Sequence, residues 1–171
     1  MYKVMYLHGL EGGPDGTKGL YCQQQFQAIA PDMPASLSKH PSIDDCFEQC
    51  YQIAQQAVEI HQPSLIIGSS FGGAITTALI QKGAYKGQAI LLAPAGIKYG
   101  LPPQLPKDNQ VLIIHAPDDD LVSFNDSVHV LKANPDQVQL WSVSGGHKLH
   151  NLTHTQQLQN AVQFMQNQFQ S

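Results

Sequence analysis

The sequence predicts an α/β protein with a doubly wound, mostly parallel sheet of six strands and helices on both faces. Short apolar runs alternate with longer stretches of helical periodicity, which is the pattern of parallel strands joined by crossover helices. The run at residues 64–68 is continuously apolar, as expected for a strand that is buried on both faces. We expect the strand order 2-1-3-4-5-6. No repeat or linker interrupts the pattern, so residues 1–171 are predicted to form one domain.

The N-terminal part of the chain is predicted to hold two strands and one helix. An apolar run at residues 2–7 predicts the first strand, which ends at a His-Gly pair. A glycine-rich loop at residues 10–16 follows and leads into a short helix at residues 17–25. Residues 26–31 predict a second, weaker strand.

The clearest helix of the chain begins after Ser42. This serine is a helix cap with Asp45 three residues later, a weaker form of the capping box, and apolar residues then recur at a helical period. Pro63 ends the helix, because the residue before a proline disfavours helical backbone angles. The apolar strand at residues 64–68 and a helix at residues 70–82 follow.

The rest of the chain continues this alternation up to an amphipathic C-terminal helix. The predicted strands lie at residues 88–93, 111–115 and 138–143, and the predicted helices at residues 123–132 and 152–169. A loop rich in proline and glycine separates the fourth and fifth strands at residues 94–108. The loop is too short for a helical cap domain, so we expect a minimal fold without a cap.

Composition and charge exclude several classes of protein. Nine basic residues against thirteen acidic ones give a net charge of −4, which argues against a nucleic-acid partner and disfavours highly anionic substrates. No stretch approaches the ~20 apolar residues of a membrane span, and no signal-peptide pattern is present, so we expect a cytoplasmic protein. Three cysteines, an odd number, argue against a disulfide framework.

A Gly-x-Ser-x-Gly sequence from Gly68 to Gly72 lies directly between an apolar strand and a helix, with Ser70 at its centre. This context is that of a nucleophile elbow, in which a serine on a tight turn projects its hydroxyl from the sheet edge. The turn brings strand and helix close together, so the positions two before and two after the serine must be small. We therefore predict Ser70 as the nucleophile; Ser69 is the rival hydroxyl but lacks flanking glycines at the right distance.

The loop after the first strand is predicted to supply an oxyanion hole. A tetrahedral intermediate needs two N–H donors, and in this architecture one follows the nucleophile and the other comes from this loop. We expect the backbone N–H groups of Leu10 and Phe71 to be these donors. Gly9 lets the backbone turn toward the substrate, and the side chain of His8 is expected to brace the loop.

Three consecutive carboxylates, Asp118 to Asp120, follow the fifth predicted strand. A triad in the chain order Ser, Asp, His needs an acid in this loop. Asp108, Asp126 and Asp136 lie before the strand, within the next helix and in a later turn. We favour Asp119 as the acid, with Asp118 and Asp120 as alternatives.

The base is predicted to be His147, which follows two glycines just after the sixth predicted strand. An imidazole titrates near neutral pH, which suits a group that accepts the serine proton and then returns it. His150 and His154 are the alternative bases. The three histidines also form a group, but its spacing is not a familiar zinc pattern, so we expect no metal and no other cofactor.

Four segments together resemble known motifs. They lie at residues 6–10, 68–72, 115–122 and 145–147, and resemble the oxyanion loop, nucleophile elbow, acid loop and histidine loop of the α/β-hydrolase superfamily. The Tyr-Leu-His-Gly opening is particularly similar to that of the small, lidless bacterial esterases of the YqiA type. The resemblance to the family's H-G-x-x-D-x-x-V segment places the acid on Asp119.

Together, the motifs predict a serine hydrolase that cleaves a small or short-chain carboxylic ester or thioester through an acyl-enzyme on Ser70. Two alternatives use the same residues or scaffold: an acyltransferase with this triad, and a catalytically idle binding module. The expected partner is a small-molecule substrate, and no pattern in the sequence assigns an oligomeric state.

Overall fold

The computed structural model describes residues 1–169, in which five β-strands alternate with α-helices. The strands are β1 (Val4–Leu7), β2 (Leu65–Ser69), β3 (Gln88–Leu92), β4 (Val111–His115) and β5 (Val138–Ser142). The helices are α1 (Thr17–Phe26), α2 (Ile43–His61), α3 (Phe71–Gln81), α4 (Phe124–Ala133), α5 (Asn151–His154) and α6 (Gln157–Phe169). All four strand pairs are parallel, in the order β1-β2-β3-β4-β5. The carboxyl ends of the strands therefore share one edge of the sheet.

The prediction of six strands is wrong by one, because residues 26–31 do not form a strand. Ile29 alone bridges β1: its N–H donates to Val4 O (2.9 Å), and its carbonyl accepts from Tyr6 N–H (2.8 Å). The segment cannot extend this pairing. Helix α1 runs on to its first residue, and Pro31 has no N–H to donate. The single bridge lies beside β1, where the second strand was predicted, and the other five strands keep the predicted order.

Both faces of the sheet are buried, which explains the continuous apolar runs. Along β1 and β2, Met5 and Ile66 lie in the cluster that includes residues of α2 and α3, while Tyr6 and Ile67 lie in the cluster that includes residues of α1 and α6. Successive side chains of a strand point to opposite faces, so each face needs its own apolar set. Full burial of each large aliphatic side chain contributes roughly 1.5–3 kcal/mol.

The start of α2 follows the prediction. Ser42 Oγ accepts a hydrogen bond from Asp45 N–H (3.1 Å) and donates to the Asp45 carboxylate (2.7 Å). The helix ends at His61, and Gln62 takes the left-handed conformation before Pro63. Local side-chain chemistry therefore determines both ends of this helix.

The C-terminal segment forms two helices, α5 and α6, and not the single helix predicted from its apolar period. Thr155 interrupts the segment with an extended backbone (φ −124°, ψ 175°). Its hydroxyl donates to Asn151 O (2.7 Å) and accepts from Gln157 N–H (3.3 Å), so one threonine bonds both helices. No helix within residues 1–169 has the length and apolar character needed to cross a membrane.

Candidate active site

Ser70 lies on the tight turn between β2 and α3, at the carboxyl edge of the sheet. Its backbone has φ 53° and ψ −109°, a region that residues other than glycine rarely adopt. The next strand along the sheet fixes this conformation. Ser70 N–H donates to Leu92 O (2.8 Å), and Ser70 O accepts from Ala95 N–H (3.1 Å). The turn is therefore held from β3 as well as from its own strand and helix.

The two glycines of the motif allow three elements to meet at this turn. A Cβ on Gly68 would overlap Thr76 Oγ1 and lie 2.6 Å from Gly72 O. A Cβ on Gly72 would overlap Leu7 O and lie 2.6 Å from His8 O. The glycines thus let β2 pack against α3, and α3 against the end of β1.

Gly72→Ala is expected to destabilise the protein by about 3 kcal/mol, because the added methyl group meets the rigid backbone of β1. The higher helix propensity of alanine recovers only about 1 kcal/mol of this loss. Urea unfolding measures the difference. Gly13→Ala is the matched control, since a Cβ there meets nothing within 4 Å. Equal losses in the two variants would contradict the close packing of the elbow.

A chain of hydrogen bonds joins Ser70, His147 and Asp119. Ser70 Oγ lies 2.9 Å from His147 Nε2, and His147 Nδ1 lies 2.8 Å from Asp119 Oδ2. An ionised carboxylate can only accept, so Nδ1 carries the ring proton of a neutral imidazole and Nε2 is left as an acceptor. Ser70 O–H therefore donates to Nε2, the geometry that a base needs to remove the hydroxyl proton.

The Asp119 carboxylate accepts four hydrogen bonds. Oδ1 accepts from the N–H groups of Leu121 (2.9 Å) and Val122 (2.8 Å), while Oδ2 accepts from His147 and from His115 (2.9 Å). Burial alone would raise the pKa of Asp119. The hydrogen bonds, above all the one from Val122 N–H, outweigh burial and hold the pKa below its ordinary value. The carboxylate is thus kept ionised beside the imidazole.

The lowered pKa of Asp119 predicts a pH-dependent contribution to stability. A carboxyl whose pKa is depressed on folding stabilises the protein fully above its unfolded-state pKa of about 3.9, and this contribution is lost as the pH falls through the folded-state pKa. The difference in free energy of unfolding between wild type and Asp119→Asn should therefore shrink as the pH is lowered from 6 toward 3. Urea unfolding at several pH values measures it. A difference that stays constant or grows in acid would contradict the hydrogen-bonded carboxylate.

His115 is a second histidine on the same carboxylate, and the sequence did not predict this contact. Its side chain is fully buried at the end of β4. Nε2–H donates to Asp119 Oδ2, and Nδ1 accepts from the Ser127 hydroxyl (2.7 Å). The only available signal was a histidine ending a buried apolar strand four residues before an aspartate, which also fits an ordinary core position. His115 therefore binds the same carboxylate oxygen as His147 and helps to orient it.

The loop after β1 lies against the elbow. The buried His8 accepts from Met33 N–H at Nε2 (3.0 Å), so its Nδ1–H donates to Gly9 O (2.9 Å), and these contacts brace the loop. A Cβ on Gly9 would lie 3.8 Å from Ser70 Cβ. Neither Leu10 N–H nor Phe71 N–H donates to another group within residues 1–169, so both are unengaged in the fold.

Ser70 and His147 open into a cleft of about 730 Å³. Its walls come from five segments, at residues 6–18, 69–70, 95–99, 121–122 and 147–153. The glycine-rich loop after β1 and part of the proline-rich loop after β3 thus reach the site. The segment between β3 and β4 contains one 3₁₀ turn, Ile97–Tyr99, and no cap domain.

The sequence profile described as Uncharacterised protein family (UPF0227) matches residues 3–101. The chain belongs to this family. The matched part includes the loop after β1, the elbow and the segment up to the 3₁₀ turn. No curated protein sequence matches this UPF0227 chain.

Solved structures similar to this UPF0227 protein share its fold at low sequence identity. An alpha/beta-superfamily protein from Xanthomonas campestris pv. campestris is 20% identical, with a TM-score of 0.75, over 90% of this chain and 92% of that one. An alpha-beta serine hydrolase homologue from Coxiella burnetii is 17% identical (TM-score 0.69; 90% and 80% covered). Est1E from Butyrivibrio proteoclasticus is 18% identical (TM-score 0.71; 99% and 89% covered). The UPF0227 chain therefore has the α/β-hydrolase fold.

The alternatives considered for each site residue are not part of the hydrogen-bond chain of this UPF0227 structure. Asp118 is exposed and accepts from Gly146 N–H (3.2 Å), so it contacts the histidine loop and not the imidazole, and Asp120 is exposed. His150 lines the cleft, and His154 does not. Within residues 1–169 no group of three or more His, Cys, Asp or Glu side chains is arranged to hold a metal ion.

Proposed function

We propose that this UPF0227 protein is a serine hydrolase that cleaves a small or short-chain carboxylic ester or thioester through an acyl-enzyme on Ser70. The observation that carries the proposal is the unbroken hydrogen-bond chain from Ser70 through His147 to Asp119, whose hydroxyl end opens into the cleft. Serine becomes a useful nucleophile only beside such an oriented base. The serine hydrolase homologue from Coxiella burnetii, which has the same fold, supports this class of reaction.

The reaction proceeds in two halves. His147 Nε2 accepts the proton of Ser70 as Oγ attacks the carbonyl carbon, and Asp119 stabilises the imidazolium that forms. The N–H groups of Leu10 and Phe71 bind the oxyanion, and the imidazolium returns its proton to the leaving alcohol or thiol. Water, deprotonated by His147, then attacks the acyl-enzyme and releases the acid. The absence of a cap between β3 and β4 favours small or short acyl groups.

A panel of 4-nitrophenyl esters and acyl thioesters of increasing chain length tests the proposal. The expected result is turnover with a preference for short acyl groups. Addition of a competing alcohol or amine distinguishes water from another acceptor, because an acyltransferase forms a new ester or amide in place of free acid. If the folded wild-type protein turns over no ester or thioester, the result contradicts the proposed hydrolase and favours the binding-module alternative.

A further inference from the structure

The cleft is cationic although the chain is acidic overall. Three of the nine basic residues line it, Lys18, Lys98 and Lys148, whereas none of the thirteen acidic residues does. The net charge of −4 is therefore distributed unevenly, with three lysines and no carboxylate in the cleft lining. Charges of one sign in a cleft raise the local concentration of ligands of the opposite sign.

Backbone carbonyls hold two of these ammonium groups in place. Lys98 extends from the 3₁₀ turn and donates to Leu121 O (2.8 Å), close to the loop of Asp119. Lys18, at the start of α1, donates to Lys148 O, directly after His147. An ammonium group has three N–H donors, so each lysine keeps two for another acceptor. The two cations are thus positioned in different walls of the cleft.

No carboxylate neutralises these lysines. Within residues 1–169 the ion pairs with N···O up to 4.0 Å all involve histidine, and none involves lysine. Lys18 is partly buried, and its pKa is lowered by burial and by the neighbouring Lys148 charge. An unpaired cation in such a position is unfavourable until an anion pairs with it.

The amino end of α1 adds to the same field. Gly16 and Thr17 line the cleft, and the cap residue Gly16 has no side chain to accept from the first N–H groups. These N–H groups and the helix dipole favour an anion. The amino end of α1 therefore favours an anion in the cleft, as the lysines do.

We infer that the substrate carries an anionic group, a carboxylate or a phosphate, near the ester or thioester that Ser70 attacks. The inference rests on the proposed function and specifies its substrate class. Lys18 and Lys98 bind the anionic group through their remaining N–H donors, while the hydroxyl of Ser70 reaches the carbonyl carbon.

The test compares three activated esters of similar length: 4-nitrophenyl hexanoate, 4-nitrophenyl hydrogen adipate and 4-nitrophenyl 5-phosphonopentanoate. Wild type is expected to show a kcat/KM for at least one anionic ester that exceeds the neutral value by about tenfold or more, the size of one charge-assisted hydrogen bond. The adipate and phosphonate arms distinguish a carboxylate from a phosphate. Added salt should reduce the preference by screening.

The variants Lys18→Met and Lys98→Met should each lower the anionic-to-neutral ratio of kcat/KM by about tenfold. The ratio is the readout because damage to the fold or to the His147 loop lowers both rates alike. Lys86→Met is the control. Lys86 is exposed before the amino end of β3, away from the cleft, and its ratio should equal that of wild type.

These experiments distinguish a failure of the inference from a failure of the proposed function. Turnover of the neutral ester with no anionic preference, or a preference that both variants retain, would overturn the inference and leave the proposed function intact. A folded wild type that hydrolyses none of the three esters would instead contradict the proposed function itself.

Discussion

Ser70→Ala is expected to lower kcat/KM for ester hydrolysis by about 10⁴-fold or more, because no other oxygen can form the acyl-enzyme. The residual rate would come from the oxyanion hole and from substrate binding alone. Initial rates with a short 4-nitrophenyl ester measure the loss, with urea unfolding to establish that the variant is folded. Ser70 already occupies a backbone with φ 53° and alanine keeps its Cβ, so the unfolding measurement is expected to show that the fold is retained.

Ser69→Ala is the matched control for this variant. Ser69 is the last residue of β2 and also lines the cleft, but its hydroxyl is not bonded to His147. Its removal should change kcat/KM by less than about tenfold, the effect of a lost neutral hydrogen bond. A Ser69→Ala enzyme that is inactive beside an active Ser70→Ala enzyme would reverse the assignment of the nucleophile.

Asp119→Asn should lower kcat by about 10⁴-fold with little change in KM, because an amide at this position permits the wrong imidazole tautomer. If the amide N–H₂ faces His147, it donates to Nδ1, and Nε2 then carries the proton and cannot accept one from Ser70. The split between kcat and KM comes from steady-state kinetics on the same short ester.

Asp120→Asn removes one charge from the same loop without touching the hydrogen-bond chain, since Asp120 is exposed. It should retain wild-type kcat within about threefold, as expected for screened surface charges. Near-wild-type activity in Asp119→Asn together with a large loss in Asp120→Asn would identify Asp120 as the acid of the triad.

Hydrophobic pattern and capping chemistry predicted most of the sheet. Strands such as β2 were recognisable because burial on both faces requires continuous apolar residues, and α2 was recognisable from Ser42 and Pro63. The prediction of a second strand failed because local features of the chain oppose strand pairing there. Residues 26–31 have a strand-like composition, but α1 extends into them and Pro31 limits pairing, so one bridge remains.

The candidate site was predictable where its chemistry is local in sequence. Glycines flank Ser70 because a side chain at either position would overlap neighbouring atoms. The structure shows which atoms a Cβ on Gly68 or Gly72 would meet. The choice among three consecutive aspartates was different. It depends on which of the three carboxylates accepts hydrogen bonds from the N–H groups of Leu121 and Val122. This is a three-dimensional feature that the sequence alone left open.

Two features were not predicted from the sequence. His115 occupies a core position of a strand, and only the fold brings its imidazole to the carboxylate of Asp119. The lysines of the cleft come from three separate segments, so no basic cluster is visible along the chain. The net charge of −4, a sum over all residues, does not show where these lysines lie.

The most direct test of the central claim is to locate the site of covalent modification by a fluorophosphonate probe, using intact mass and peptide mapping. Such probes phosphonylate a serine that an adjacent base activates. The account predicts one adduct per chain, on Ser70, which disappears in Ser70→Ala. An adduct on another residue, or labelling that persists unchanged in the folded Ser70→Ala protein, would contradict it.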